Sequence, residues 1–438
     1  MSPSRSIVLA FGLAILAGTG LLMLPIAKAG AGGASFLEAL FTATSAVCVT
    51  GHIIVDTATY WSPFGQVVIM ALIQVGGLGI MTFATLIGLV VVRKISLRSR
   101  LTTAAEARGL RLDDFPNLLG QVVRTTLLVE ATVAVLLFFR FIFGYGEPVG
   151  RAAWLAVFHS VSSFNNAGFS LFSDNLVSYV ADPFICIPIA AAIILGGIGF
   201  PVILQLRKHL RSPLKWTMNT RLVLLGTSTL LVAGTVYVTA IEWSNPATLG
   251  PLDWPAKLLA GFFTSVQTRT AGFNSIDIGA MDPASWLGMD ALMLIGGGPA
   301  GTAGGIKITT FAVLFFILMT ELRHHRAVNV LGKQLPRSVH REAITVVLVA
   351  VATVAAATVA LMLLTDIGLD RLLFEVVSAF GTVGLSTGIT ADLPPAGQVI
   401  LIVLMFIGRL GPITFASGLA LTNRDIAYEL PKERPIIG

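Results

Sequence analysis

TSAVCVTGH at residues 44–52 returns in altered form as SSFNNAGFS at 162–170, TRTAGFNS at 268–275 and FGTVGLST at 380–387. Each phrase turns on one glycine, and Gly51, Gly168, Gly272 and Gly384 follow one another at intervals of 117, 104 and 112 residues. Intervals this even mark one unit of roughly a hundred residues used four times. Each phrase also follows a short apolar stretch and precedes a long one. The pattern predicts four quasi-equivalent loops around one axis, the geometry a cation selectivity filter requires.

Composition sets the class. Hydrophobic residues make up 55% of the chain, charged residues 12%, and the mean hydropathy is +0.85, which reads as an integral membrane protein. Apolar runs at about 6–27, 64–92, 121–143, 183–205, 220–241, 285–319, 343–365 and 396–421 predict eight spanning helices. Weaker stretches near 34–47, 151–164, 254–268 and 369–381 are too short to cross and end at the glycine phrases. They predict half-membrane, re-entrant helices. The expected fold is an all-α integral membrane protein of four tandem helix, re-entrant pore loop, helix units in pseudo-fourfold arrangement. Unit one is expected at 1–95, unit two at 115–210, unit three at 215–325 and unit four at 340–425.

Of the 29 Lys and Arg residues, 21 lie in the N-terminus, the C-terminal tail and the segments 93–124, 207–221 and 323–341, which connect one unit to the next. The segments flanking the glycine phrases carry few, chiefly Lys28, Arg151, Lys257 and Arg371. The positive-inside rule then places the phrases outside and both termini in the cytoplasm. The net charge of +6 needs no nucleic-acid partner. The N-terminal run, with Arg5 before it and small residues after it, has features of a secretory signal. It is too long for a typical signal core and is read as the first span. Cys48 and Cys186 fall in different units and are read as free thiols.

A potassium ion entering a low-dielectric core loses its water, and inward-facing backbone carbonyls replace that shell without a full negative charge. Aiming successive carbonyls to one side demands unusual backbone angles, which glycine adopts at little steric cost. The candidate lining is therefore Val49, Thr50 and Gly51; Asn166, Ala167 and Gly168; Thr270, Ala271 and Gly272; and Thr382, Val383 and Gly384, with potassium at the glycine carbonyls. Re-entrant helices ending there would direct the negative ends of their dipoles at the ion. Close helix packing is the plainer reading of any single glycine, and the fourfold recurrence favours the filter. An aromatic residue precedes the glycine by ten positions in three units (Phe41, Phe158, Phe374), whereas Phe262 and Phe263 both compete in the third.

Four units of this kind with the phrases CVTGH, NNAGF, RTAGF and TVGLS resemble the Trk/Ktr/HKT superfamily of potassium transporters along nearly the whole chain. The chain opens almost directly with the first unit, without the two additional helices of Trk-type members, and is most similar to Ktr-type membrane subunits. The resemblance implies potassium uptake across the bacterial cytoplasmic membrane and, as an open question, dependence on sodium. Glycine at position 51 points to potassium, since serine there in plant relatives accompanies sodium preference. One glycine per phrase, against two in the TVGYG loop of tetrameric channels, implies a shorter filter.

A second motif occupies the helix after each phrase: GGLG at 76–79, GGIG at 196–199 and GRLG at 408–411, expanded in unit three to GGGPAGTAGGIK at 296–307. The run Gly296, Gly297, Gly298, Pro299, Ala300, Gly301, Thr302, Ala303, Gly304 and Gly305 cannot make a good helix. Irregular backbone at membrane depth needs a cavity or surrounding protein, so a flexible loop below the filter is expected. A packing kink is the alternative. In the resembled superfamily such a loop is an intramembrane gate. Lys307 either anchors the loop or snorkels to the interface. Arg409, costly in an apolar helix unless paired, resembles the arginine that narrows the pore beside that gate, and loop carbonyls are its expected partners. Arg269 is expected to brace the third phrase against Glu375. His159 and Glu130 are read as structurally satisfied rather than as a proton relay.

No phosphate loop, HExxH or paired zinc-spaced cysteines occur, so the reading is a transport protein and not an enzyme, with no organic cofactor. The resemblance implies a homodimer in the lipid bilayer and a cytosolic RCK-type nucleotide-binding ring (KtrA-like) docking on the basic cytoplasmic face. The rival reading is an alternating-access carrier of a small organic solute. Such carriers usually contain inverted repeats, whereas all four units here follow one charge asymmetry.

Overall fold

The computed structural model describes residues 3–99, 115–324 and 327–411. Among the described residues the regular structure is helical apart from a hairpin pairing Asn329–Val330 with Lys333–Gln334. The first set of helices is α1 (Pro3–Leu22), α2 (Phe36–Val47), the single turn α3 (Thr57–Tyr60) and α4 (Pro63–Ser99). The second is α5 (Phe115–Tyr145), α6 (Val149–Phe164), α7 (Pro183–Gly197) and α8 (Phe200–His209). The third is α9 (Met218–Glu242), α10 (Trp254–Gln267), α11 (Pro283–Leu294) and α12 (Ile308–Leu322), and the fourth α13 (Arg337–Leu364), α14 (Leu369–Gly381) and α15 (Pro395–Leu410).

Among the described residues five helices are long and apolar enough to cross a membrane, and the bent pair α7 and α8 would make a sixth. The third set's second helix is split into α11 and α12, and the last apolar run is described only to Gly411. The remainder of that run, the basic tail and residues 100–114 of the segment expected to be cytoplasmic lie outside the described residues.

Local chemistry starts the helices where the repeat needs them. Ser35 and Glu38 form a reciprocal cap on α2, with Ser35 N donating to Glu38 Oε2 at 2.7 Å. Tyr60 Oη donates to the same carboxylate oxygen, and burial together with that bond pushes the phenol up to about 12. Pro183 and Pro283 open α7 and α11 directly after capping aspartates, Asp182 and Asp282.

The C-terminal turns of the four helices α2, α6, α10 and α14 are buried among the other helices. Helix α4 packs on α5 and α6, α7 on α10, α11 on α14, and α15 returns to α2, so the four sets close into a circle.

One expectation is corrected. The run 183–205 is not a continuous span: α7 and α8 meet at 100°. Gly199 has φ +91° and Pro201 lacks the N–H that would continue the helix. The freed backbone groups are taken up by the glycine-rich segment of the third set. Gly197 O accepts from Gly298 N at 2.7 Å, Gly196 O from Thr302 N at 3.1 Å, and Phe200 N donates to Ala300 O at 3.1 Å. Two irregular stretches at membrane depth thus satisfy each other.

Candidate functional site

The four short helices stop at corresponding points, and the glycine phrases lie against one another. A methyl group built on Gly168 would sit 2.8 Å from Ala271 O and from Gly272 Cα. On Gly51 it would collide with Ala167 O, on Gly272 with Val383 O and on Gly384 with Thr50 O. Each glycine faces the carbonyl that precedes the next glycine, and the fourth returns to the first. Thr50, Ala167, Ala271 and Val383 thereby form a closed ring of carbonyl groups.

Backbone angles repeat around the ring. The glycines have φ between +70° and +91°, and the residues two positions earlier, Val49, Asn166, Thr270 and Thr382, have φ between +51° and +66°. Left-handed backbone at a β-branched Val or Thr is unfavourable by roughly 1–2 kcal/mol, so its occurrence at Val49, Thr270 and Thr382, with Asn166 at the fourth matching point, marks a constraint imposed by the assembly. The intervening residues are not left-handed. Such alternation turns successive carbonyls toward one side, as the ring requires.

Each phrase is tied to its own short helix. Thr50 N donates to Ser45 O at 2.8 Å, Ala167 N to Ser162 O at 2.7 Å and Val383 N to Ser378 O at 2.8 Å. Ser45 Oγ accepts from Gly51 N and Ser378 Oγ from Gly384 N, each at 3.1 Å, while Ser162 Oγ donates to Phe169 O at 2.8 Å. These serines escaped the sequence reading, although each stands six positions before its glycine.

The third phrase differs. Phe263 is fully buried and Phe262 only partly, so Phe263 matches Phe41, Phe158 and Phe374. It stands nine positions before its glycine instead of ten. Four positions after these aromatics come Ser45, Ser162, Gln267 and Ser378. Gln267 accepts from Ala271 N with its carbonyl at 3.1 Å and from Phe273 N with Oε1 at 3.0 Å.

Outside the ring a cavity of about 570 Å³ has all four glycines in its lining. Asp56, Asp174 and Asp277 line it as well, and no lysine or arginine does among the described residues. A cation entering from this side meets a negative funnel.

On the other side lies the glycine-rich segment 296–305. Thr302 Oγ1 is 2.9 Å from the Asn166 side-chain amide and donates to Phe164 O at 3.3 Å. A methyl group on Gly304 would strike the Thr382 hydroxyl. Gly296 N donates to Ile306 O at 2.8 Å, and Ile308 N to Gly297 O at 3.1 Å. Arg409, 3% exposed, donates through Nη1 to Thr302 O and through Nη2 to Gly76 O at 3.2 Å. Lys307 Nζ donates to Ala303 O at 2.5 Å, which gives it an anchoring contact. The segment expected to be a flexible loop is bonded at both ends and along one flank.

Arg269 does not pair with Glu375. Its Nη2 donates to Gly296 O at 3.0 Å, while Glu375 accepts from Ser386, Thr387 and Thr390 in the outer loop of its own set. His159 is satisfied by Leu155 O at 2.8 Å and Ser170 at 3.1 Å. Glu130 accepts from Asn165 at 3.1 Å and Gln74 at 3.4 Å.

The second-helix glycines serve as seats. A methyl group on Gly76, Gly196 or Gly408 would collide with the carbonyl of Val47, Phe164 or Phe380, respectively. These carbonyls belong to the last turn of their short helices, so glycine lets the helix ends reach the centre.

The family of cation transport proteins represented by TrkH matches residues 14–422. The chain is 40% identical to Ktr system potassium uptake protein B of Bacillus subtilis, over 97% of this chain and 94% of the relative. It is 35% identical to the potassium/sodium uptake protein NtpJ of Enterococcus hirae, over 100% and 98% respectively. Among solved structures, the potassium transporter TrkH from Vibrio parahaemolyticus superposes with a TM-score of 0.76 over 95% of this chain and 84% of that one, at 17% identity. That likeness is one of fold.

Proposed function

The chain belongs to the TrkH family of cation transport proteins, and from that premise we propose that it takes up potassium across the bacterial cytoplasmic membrane through a filter formed by its four glycine phrases. The single observation that carries this reading is the closed circle in which Gly51, Gly168, Gly272 and Gly384 each abut the next wall's carbonyl. The carbonyls replace hydration, and the vestibule carboxylates concentrate the cation at the outer mouth. As part of this proposal the chain is divided into four pore units at 1–95, 115–210, 215–325 and 340–425, the bounds expected from the sequence.

Segment 296–305 with Lys307 and Arg409 acts as the gate. The guanidinium bonded to Thr302 O places a positive charge beside the path, and the loop lies against the inner ends of two filter walls. Similarity to a Ktr system protein supports partner subunits, and we propose a homodimer and a cytosolic RCK-type nucleotide-binding ring, with both termini in the cytoplasm. Similarity to a potassium/sodium uptake protein supports sodium as a coupled or activating ion.

Reconstituted vesicles test the reading by rubidium uptake competed with potassium or sodium. Potassium should compete better than sodium, and Gly51→Ser should reduce that preference roughly tenfold, the loss of about 1.4 kcal/mol of discrimination. Unchanged preference in Gly51→Ser would remove the filter assignment.

A further inference from the structure

We propose that Gln267 is a specificity-determining positioning residue, whose side-chain oxygen spans the one-residue deficit of the third filter wall and fixes where that wall's carbonyls stand. The inference rests on the filter reading above and adds to it the origin of the ring's asymmetry.

Counted from the buried aromatic that roots each wall, three walls reach their glycine in ten residues and the third in nine. The helix-end bond shows the same deficit. In units one, two and four the residue before glycine donates to a carbonyl five positions back, whereas Ala271 N donates only four back, to Gln267 O at 3.1 Å. A serine at position 267 would be too short for the work that Ser45 and Ser378 perform, because the shorter wall presents a different amide, that of Phe273. Glutamine is two heavy-atom bonds longer and reaches it at 3.0 Å. Phe273 is buried, and a buried amide left without an acceptor is costly, so the wall has a clear preference for the position in which that bond is made.

The next turn reinforces the difference. Two residues after Ser45, Ser162 and Ser378 come Val47, Phe164 and Phe380, whose carbonyls seat on Gly76, Gly196 and Gly408. Two residues after Gln267 comes Arg269, and its guanidinium donates to Gly296 O at 3.0 Å. The third wall is thus held by two long side chains where the others use a hydroxyl and a close backbone seat.

The test compares Gln267→Ser, Gln267→Ser with one alanine inserted between Thr268 and Arg269, and Gly272→Ser, all as full-length protein in vesicles. The readout is potassium preference over sodium in rubidium uptake, with size-exclusion profiles as the folding control. Gln267→Ser should lose preference about tenfold, and the insertion, which restores the spacing of the other walls, should recover most of it. Parental preference in Gln267→Ser, or failure of a well-folded insertion variant to recover any, overturns the inference. If Gly272→Ser loses preference while Gln267→Ser keeps it, only Gln267 is misassigned; if both keep it, the filter reading itself falls. Should Gln267→Ser not fold, Gln267→Asn carries the test: one methylene too short, it should lose preference in the same direction, and parental preference overturns the proposal.

Discussion

The glycine ring and the glycine-rich segment beneath it use the same kind of backbone, yet they are held in opposite ways. Every wall of the ring bonds to its own short helix, four to six residues upstream, through Ser45, Ser162, Gln267 or Ser378. Segment 296–305 is tied mainly to other parts of the chain: Gly196, Gly197 and Phe200 at the bend, Phe164 and Asn166 at a helix end, and Arg409 from the last helix. Local bonds let the ring keep its shape when its surroundings shift. Distant bonds make the segment's position a function of where α8 and α15 stand. This contrast in bonding is the one expected if the proposed filter is the fixed part and the proposed gate the part that moves.

The contrast can be broken most sharply at the ring. Gly384→Ala combines a left-handed φ of +89° with a methyl group driven into Thr50 O, and uptake of potassium should fall by roughly a hundredfold or more in vesicles. Next comes Arg409→Ala, which frees the carbonyls of Thr302 and Gly76 from two charge-assisted bonds. Basal flux without the cytosolic partner should rise by about tenfold while potassium preference stays at the parental value. A loss of preference in this variant would mean that selector and barrier are not separable.

Pro201→Ala sharpens the comparison from the other side of the loop. The restored N–H competes with Gly298 for Gly197 O and favours a straighter helix, so basal flux should rise by a few-fold with preference unchanged. The smallest effect is expected in the vestibule. Asp56→Asn keeps the helix-capping oxygen but removes one charge, so half-saturation should rise about twofold at low ionic strength, with the difference fading near physiological salt.

The ring was legible in the sequence because glycine at a repeated point makes a demand on backbone that no other residue meets as easily. The contact between Arg409 and the loop was legible for a related reason: a guanidinium in an apolar helix must find oxygen, and the broken helix offers it. The register of the third wall was not, since Phe262 and Phe263 are equally apolar and only packing decides between them. The bend at Gly199 was hidden because GGIG resembles the straight GGLG, and the decisive proline stands two residues later. Arg269 was misassigned to Glu375 because charge complementarity is visible in a sequence while a free carbonyl, here that of Gly296, is not.

The mutual bonding of the α7–α8 bend and the loop has a consequence for how passage opens. If segment 296–305 withdraws as the proposed gate, Gly196 O, Gly197 O and Phe200 N would lose Thr302, Gly298 and Ala300 as partners, and lipid tails would offer none in exchange. Only water can take up those groups at that depth. In the proposed gate, withdrawal and wetting would then be one event, and dehydrating osmolytes would oppose it.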